Sequence, residues 1–207
     1  MNVRRRLLRR VIGQFHRPDG ASGHVTGWIM AYRRSNRRRN RWVVSLLDVQ
    51  PTDRVLEIGY GPGIAIQALS RLTTRGVVYG IDHSEVMLRQ ARGRNADAIR
   101  AGRVDLRCGS VDRLPALGAP LDKVIAVNSM GFWPDASTRL KELRTILRAG
   151  GQIAVASQAR CPGATKATSA QAAVEIEAVL NDADFCGIRV EILPLDPPVV
   201  CVIGERP

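Results

Sequence analysis

Val55-Leu56-Glu57-Ile58-Gly59-Tyr60-Gly61-Pro62-Gly63 is the stretch on which the reading of this chain turns. A short apolar run that ends in glycines has the pattern of a buried strand entering a tight turn. Glycine accepts positive φ and lets the backbone approach a ligand without a Cβ in the way. A tight turn with no ligand would satisfy the same pattern. A dinucleotide fingerprint, G-x-G-x-x-G, would place its third glycine at position 64. That position is Ile64, the third glycine falls at Gly63, and an acid, Glu57, stands two residues before the first.

Outward from this turn, short β-branched runs alternate with helical segments. Strands are predicted at Arg54 to Ile58, Val77 to Ile81, Val104 to Cys108, Lys123 to Asn128, Gln152 to Ser157, Arg189 to Leu193 and Val199 to Ile203. Helices are predicted near 64 to 73, 84 to 100, 136 to 148 and 168 to 183, with apolar faces such as Ala65, Ala68, Leu69, Leu72 at helical spacing. Strand and helix in alternation imply βαβ units around a parallel sheet. The last two strands are joined through Asp196-Pro197-Pro198, too short a link for a parallel crossover, so that pair is expected to be antiparallel. The expected fold class is α/β: a mostly parallel seven-stranded sheet with helices on both faces, an antiparallel final strand and an N-terminal helical cap.

The chain has 207 residues and a net charge of +12. Residues 1–41 hold twelve arginines and one acid, Asp19, so almost all of that charge belongs to the N-terminal part. We divide the chain into a basic, Arg-rich helical extension or cap over 1–50 and a cofactor-binding domain over 51–207. Within the extension, Leu7, Leu8, Val11, Ile12 and Phe15 recur at helical spacing, and Pro18-Asp19-Gly20 breaks that helix. A second helix is predicted from Val25 to Asp48, with a middle, Arg33 to Arg41, that is polar all round and is either solvated or facing an anion. Aromatics make up only 4% of the chain, so the core is expected to be Val, Ile, Leu and Ala. Cys108, Cys161, Cys186 and Cys201 lack any close ligand spacing, so no metal site and no disulfide framework is expected, and a reducing cytoplasm fits. No apolar run approaches the roughly 18 to 20 residues of a spanning helix, and Met1 to Phe15 lacks the apolar core of a secretory signal.

Glu57, Gly59, Gly61 and Gly63 match E/D-x-G-x-G-x-G, and here the chain resembles the class I S-adenosylmethionine-dependent methyltransferases, a Rossmann-like family. The resemblance covers 51–207, and residues 14–48 look like the cap of small bacterial methyltransferases of the type 11-like group. It implies S-adenosyl-L-methionine as cofactor, with the glycines and Tyr60 of the turn against its methionine part and Glu57 near its amino group. Asp82 ends the second strand in Tyr79-Gly80-Ile81-Asp82-His83-Ser84, where a carboxylate can accept both ribose hydroxyls. His83, the next residue, is placed against the adenine by the same resemblance. Family members often carry Gly-Asp-Ala-x-x-Leu-Pro next, whereas this chain has Gly109-Ser110-Val111-Asp112-Arg113-Leu114-Pro115. Ser110 takes the position of the adenine-binding acid, Ser110 and Val111 are expected cofactor contacts, and Asp112 replaces the missing charge only if it swings in. Asn128, at the carboxyl end of the fourth strand, is expected to lie where the methyl group is presented, as a cofactor contact and a catalytic residue. Gly150 reads as a helix C-cap.

Methyl transfer from a sulfonium needs an in-line nucleophile, exclusion of water and, for a protonated nucleophile, a base. Base candidates are His16, His24 and His83, of which His24 is carried as the catalytic candidate. Tyr32, Phe132 and Trp133 are candidate walls of an apolar acceptor pocket, or else core fillers. The expected activity is methylation of a small molecule, apolar or lipid-like. Alternatives are a nucleic-acid methyltransferase using the basic arm, which Asn128-Ser129-Met130 in place of Asn-Pro-Pro-Tyr disfavours, and a non-catalytic cofactor-binding protein. The arginines are read as solvated helix faces, as an attraction to an anionic membrane surface, or, with less support, as a nucleic-acid contact.

Overall fold

The computed structural model describes residues 34–118, 120–159 and 163–207. In chain order it holds α1 (Arg34–Ser45), β1 (Arg54–Ile58), α2 (Ile64–Leu72), β2 (Val77–Asp82), α3 (Glu85–Arg94), α4 (Ala96–Arg100), β3 (Val104–Cys108), β4 (Leu121–Val127), α5 (Ala136–Ile146), β5 (Leu147–Ser157), α6 (Lys166–Asp182), β6 (Cys186–Leu193) and β7 (Val199–Glu205). One seven-stranded sheet runs in the order β3-β2-β1-β4-β5-β7-β6. Pairing is parallel from β3 through β5, and β7 runs antiparallel to both β5 and β6. The predicted α/β class and antiparallel ending therefore hold, with β7 inserted between β5 and β6 rather than lying at the edge.

The two faces of the sheet carry separate cores. Val55 and Val78 join Val43, Leu47, Ala65, Ile66, Leu69 and Met87 on the face covered by α1, α2 and α3. Leu56, Ile58 and Val124 join Leu140, Leu143, Ile176 and Leu180 on the face covered by α5 and α6. Alternation along β1 explains the split, because successive side chains of a strand point to opposite faces. By the same alternation Glu57 shares the face of Val55, at the end of the strand nearest α2.

Several boundaries differ from the sequence reading. The helix predicted over 84–100 is two helices, broken at Asn95, which leaves the helical conformation at φ −112. Its side-chain amide donates to the carbonyls of Ala91 (2.9 Å) and Gly63 (3.2 Å), a local alternative to the helical ladder that also ties the break to the glycine turn. Gly150 is not a helix cap: α5 ends at Ile146 and Gly150 lies inside β5 with φ 68. Only the later part of the helix predicted from Val25 falls within the described residues. There the polar middle is not solvated throughout, since Asn36, Arg39 and Asn40 are buried. Leu7 to Phe15, His16, His24 and Tyr32 lie outside the described residues, as does Cys161.

Candidate functional site

The carboxyl ends of β1 and β4 meet at the point where the chain switches from one side of the sheet to the other, the crevice in which open α/β sheets bind ligands. β1 leads into the glycine turn there. Gly59, Gly61 and Gly63 all have positive φ, at 76, 51 and 76. Gly59 is required for packing, because a Cβ would stand 2.4 Å from the Cβ of Ser129. Gly61 has a different reason: a Cβ there would meet nothing within 4 Å, so its φ shapes the turn beside open space. Ser129 was not singled out in the sequence. Its hydroxyl donates to the carbonyl of Ile58 at 2.6 Å and so fastens the end of β1 to the loop after β4.

Asp82 closes the other side of the turn. One carboxylate oxygen accepts from the N–H of Gly61 (2.8 Å) and the other from the N–H of Ser84 (2.9 Å), and the residue is only 6% exposed. Ser84 in turn caps α3, accepting from Met87 N. Burial raises the Asp82 carboxyl above its usual range, opposed by those two N–H bonds and by His83. His83 Nδ1 lies 3.9 Å from Asp82, with the ring 45% exposed at the surface.

Glu57 is 1% exposed, and one of its carboxylate oxygens has no hydrogen-bond partner. Burial pushes its carboxyl well above the ordinary range, the charge of Asp82 adds to this, and the N–H of Ile66 opposes it. The folded chain therefore keeps a proton that the unfolded chain releases, and stability falls as pH rises from the ordinary glutamate range through the raised folded value. Glu57→Gln is expected to match the wild type near pH 4 and to melt at higher temperature than it by pH 8, in the absence of ligand. Equal melting temperatures at both pH values would show that Glu57 keeps an ordinary carboxyl.

The remaining predicted residues are distributed around this turn. Tyr60 turns its ring into the core, where Gly80 leaves room for it and its hydroxyl donates to the carbonyl of Arg107 at 3.2 Å, so only its backbone lies on the turn. Val111 is buried in a short 3-10 turn (Val111–Arg113) that follows Ser110. Ser110 hydrogen-bonds the carboxylate of Asp112, which holds that carboxyl below its usual range. Asn128 has φ 55 and follows β4; its N–H donates to the carbonyl of Ala156 at 2.8 Å and its Oδ1 accepts from Gln158 N at 2.8 Å. The part of that amide left for a ligand is the NH2. Phe132 is half exposed, whereas Trp133 packs against the core.

The sequence reading also missed Arg39. This guanidinium is 4% exposed and donates to Gln158 Oε1 at 2.7 Å and to Asn36, while Gln158 Nε2 donates to the carbonyl of Pro197 at 2.9 Å. The cap helix is thereby tied to the residue that follows β5 and to the β6–β7 loop. In sequence Arg39 is one of a run of three arginines, with nothing to distinguish it from Arg37 or Arg38.

The orphaned Glu57 oxygen, the open space at Gly61 and the buried Asp82 suit a ligand bearing hydrogen-bond donors and positive charge. Fold and site together define a doubly wound α/β domain with a crevice of that character at its switch point. Comparison with known proteins agrees. A family described as a methyltransferase domain matches residues 55–151. The Bacillus subtilis (strain 168) protein described as "Uncharacterized methyltransferase YdaC" is 30% identical over 188 residues, covering 88% of this chain and 98% of that protein. The trans-aconitate 2-methyltransferase of Azoarcus sp. (strain BH72) is 35% identical over 120 residues, covering 56% of this chain and 45% of that enzyme. A solved S-adenosylmethionine-dependent methyltransferase from Aquifex aeolicus superposes with a TM-score of 0.63 at 18% identity, over 81% of this chain and 89% of that one. The chain belongs to the class I S-adenosylmethionine-dependent methyltransferases.

Among the described residues no helix is long and apolar enough to cross a membrane.

Proposed function

We propose that this protein binds S-adenosyl-L-methionine at the β1–β4 crevice and transfers its methyl group to a small-molecule acceptor. The observation that carries the reading is the pair of buried carboxylates, Glu57 and Asp82, on the two sides of the glycine turn, one of them with an oxygen left unpartnered. The bound cofactor supplies a methyl group already activated by its sulfonium. Glu57 would hold the ammonium of the methionine part, giving up its own proton to solvent so that the carboxylate can accept from it. Asp82 keeps the N–H groups of Gly61 and Ser84 while accepting from the ribose hydroxyls, which the remaining lone pairs of a carboxylate allow. Ser110 commits its proton to Asp112, which leaves its oxygen as an acceptor for the adenine amino group. Asn128 orients the acceptor through its NH2 and takes no proton, so positioning carries the reaction unless the acceptor brings its own acidic proton.

A small-molecule acceptor is supported by the loop after β4. Asn128-Ser129-Met130-Gly131 lacks the two prolines used on exocyclic base amines, and Ser129 is already committed to packing on Gly59. The relative from Azoarcus acts, by its description, on a small organic acid.

Thermal-shift measurements are expected to show stabilisation of the full chain by S-adenosylhomocysteine and S-adenosylmethionine and none by NAD. The reverse pattern would overturn the assignment of the cofactor. Formation of S-adenosylhomocysteine with an acceptor library then tests transfer; binding without turnover across the library would favour a non-catalytic cofactor-binding role. Glu57→Gln is expected to weaken S-adenosylmethionine binding by about ten- to a hundredfold, the loss of one charged hydrogen bond.

A further inference from the structure

Beyond the cofactor crevice, a cleft of about 150 Å³ opens on the outer side of α2, lined by Arg37, Arg41, Ile64, Gln67, Ala68, Arg71 and Arg94. Four arginines from three helices line it. Ile64, Gln67, Ala68 and Arg71 form one stripe of α2, at spacings of three and four residues, with the small Ala68 in the middle of that wall. Arg37 and Arg41 stand one turn apart on α1, and Arg94 reaches in from the last turn of α3. Among the described residues that line the cleft there is no carboxylate.

Elsewhere in the domain several arginines are paired with acids: Arg100, Arg107, Arg139, Arg144, Arg148 and Arg189 each lie beside one. Arg41 and Arg71 have no ion pair among the described residues. Arg71 and Arg94 occupy the last turns of their helices, where the carbonyl ends attract cations, and that accounts for each of them singly. It does not account for two further arginines of α1 brought against them. The like charges of Arg41 and Arg71 in one concave site repel, and the repulsion is relieved when an anion enters. The guanidinium fork matches phosphate oxygens in pairs, so a phosphate-bearing group fits this donor set better than a single carboxylate.

We propose that the cleft between α1, α2 and α3 is a phosphate-binding site, separate from the cofactor crevice. It is anchored to the glycine turn through Arg94, whose Nε donates to the carbonyl of Pro62 at 2.8 Å. The phosphate comes either from a soluble phosphorylated compound or from a lipid headgroup, and the two sources are separable by experiment.

The full-length protein is titrated calorimetrically with inorganic pyrophosphate at low salt, as wild type and as Arg41→Gln, Arg71→Gln and Arg75→Gln. All three substitutions fall on exposed side chains, and Arg75 lies outside the cleft. Arg41→Gln and Arg71→Gln are expected to weaken pyrophosphate binding by about tenfold each, the loss of one charge-assisted pair. Arg75→Gln is expected to leave it unchanged, and all three should melt as the wild type does. Equal weakening by Arg75→Gln would mean that overall charge binds the anion, and no weakening by Arg41→Gln and Arg71→Gln would mean that the cleft does not; either overturns the proposal. Flotation with phosphatidylglycerol and phosphatidylcholine vesicles assigns the source. Loss of phosphatidylglycerol binding in Arg71→Gln identifies a headgroup, and unchanged flotation alongside weakened pyrophosphate binding identifies a soluble ligand.

Discussion

Gly59→Ala is expected to lower the free energy of unfolding by about 2 to 5 kcal/mol, read from the urea midpoint. Two costs add. The new Cβ would stand 2.4 Å from the Cβ of Ser129, which is buried and held by the carbonyl of Ile58; forcing extra volume into a filled core costs about 1 to 3 kcal/mol. The backbone at φ 76 adds about 1 to 2 kcal/mol for any L side chain. Against a domain stability of about 5 to 15 kcal/mol this is a large fraction. A second substitution, Ser129→Gly, removes the clash and leaves the backbone cost, so the double variant should recover part of the loss. An unchanged midpoint for Gly59→Ala would show that β1 and the loop after β4 do not meet as described.

The largest effect on ligand affinity is expected from Asp82→Ala: a loss of more than about a hundredfold in S-adenosylhomocysteine binding by calorimetry, since removing a charged acceptor and leaving its donors unpaired costs several kcal/mol. This carboxylate shapes the turn through Gly61, starts α3 through Ser84 and, on the proposed reading, accepts from the ribose. Its removal leaves two amide N–H groups without their acceptor as well as the ligand without a partner. Asp82→Asn keeps one acceptor oxygen and should fall between the wild type and the alanine variant. Binding of the alanine variant within about threefold of wild type would overturn the role given to Asp82, because losing charged hydrogen bonds to the ribose hydroxyls cannot be that cheap.

The glycine turn and the Glu57–Asp82 pair were legible because they depend on local chemistry. A strand of five residues, a turn needing positive φ and one helix between two acids leave an imprint in consecutive residues. Ser129 and Arg39 left none. Each matters through a partner far along the chain, Ser129 through Ile58 and Gly59, Arg39 through Gln158. Asn95 shows the same limit inside a helix: nothing in 84–100 announces that its amide will leave the helical ladder for the carbonyl of Gly63. Ser110 takes the position of an acid in the sequence, and the structure couples its hydroxyl to Asp112, two residues on.

The sequence by itself determined the α/β alternation, the turn at 59–63, the acids at 57 and 82 and the antiparallel ending, because hydrophobic period and glycine placement act over a few residues. Tertiary structure alone decided that β7 lies between β5 and β6, that Glu57 is buried with an unpartnered oxygen, and that arginines of α1, α2 and α3 share one cleft. These are facts about which distant surfaces meet. Desolvation and convergence of charge arise only once the layers have packed.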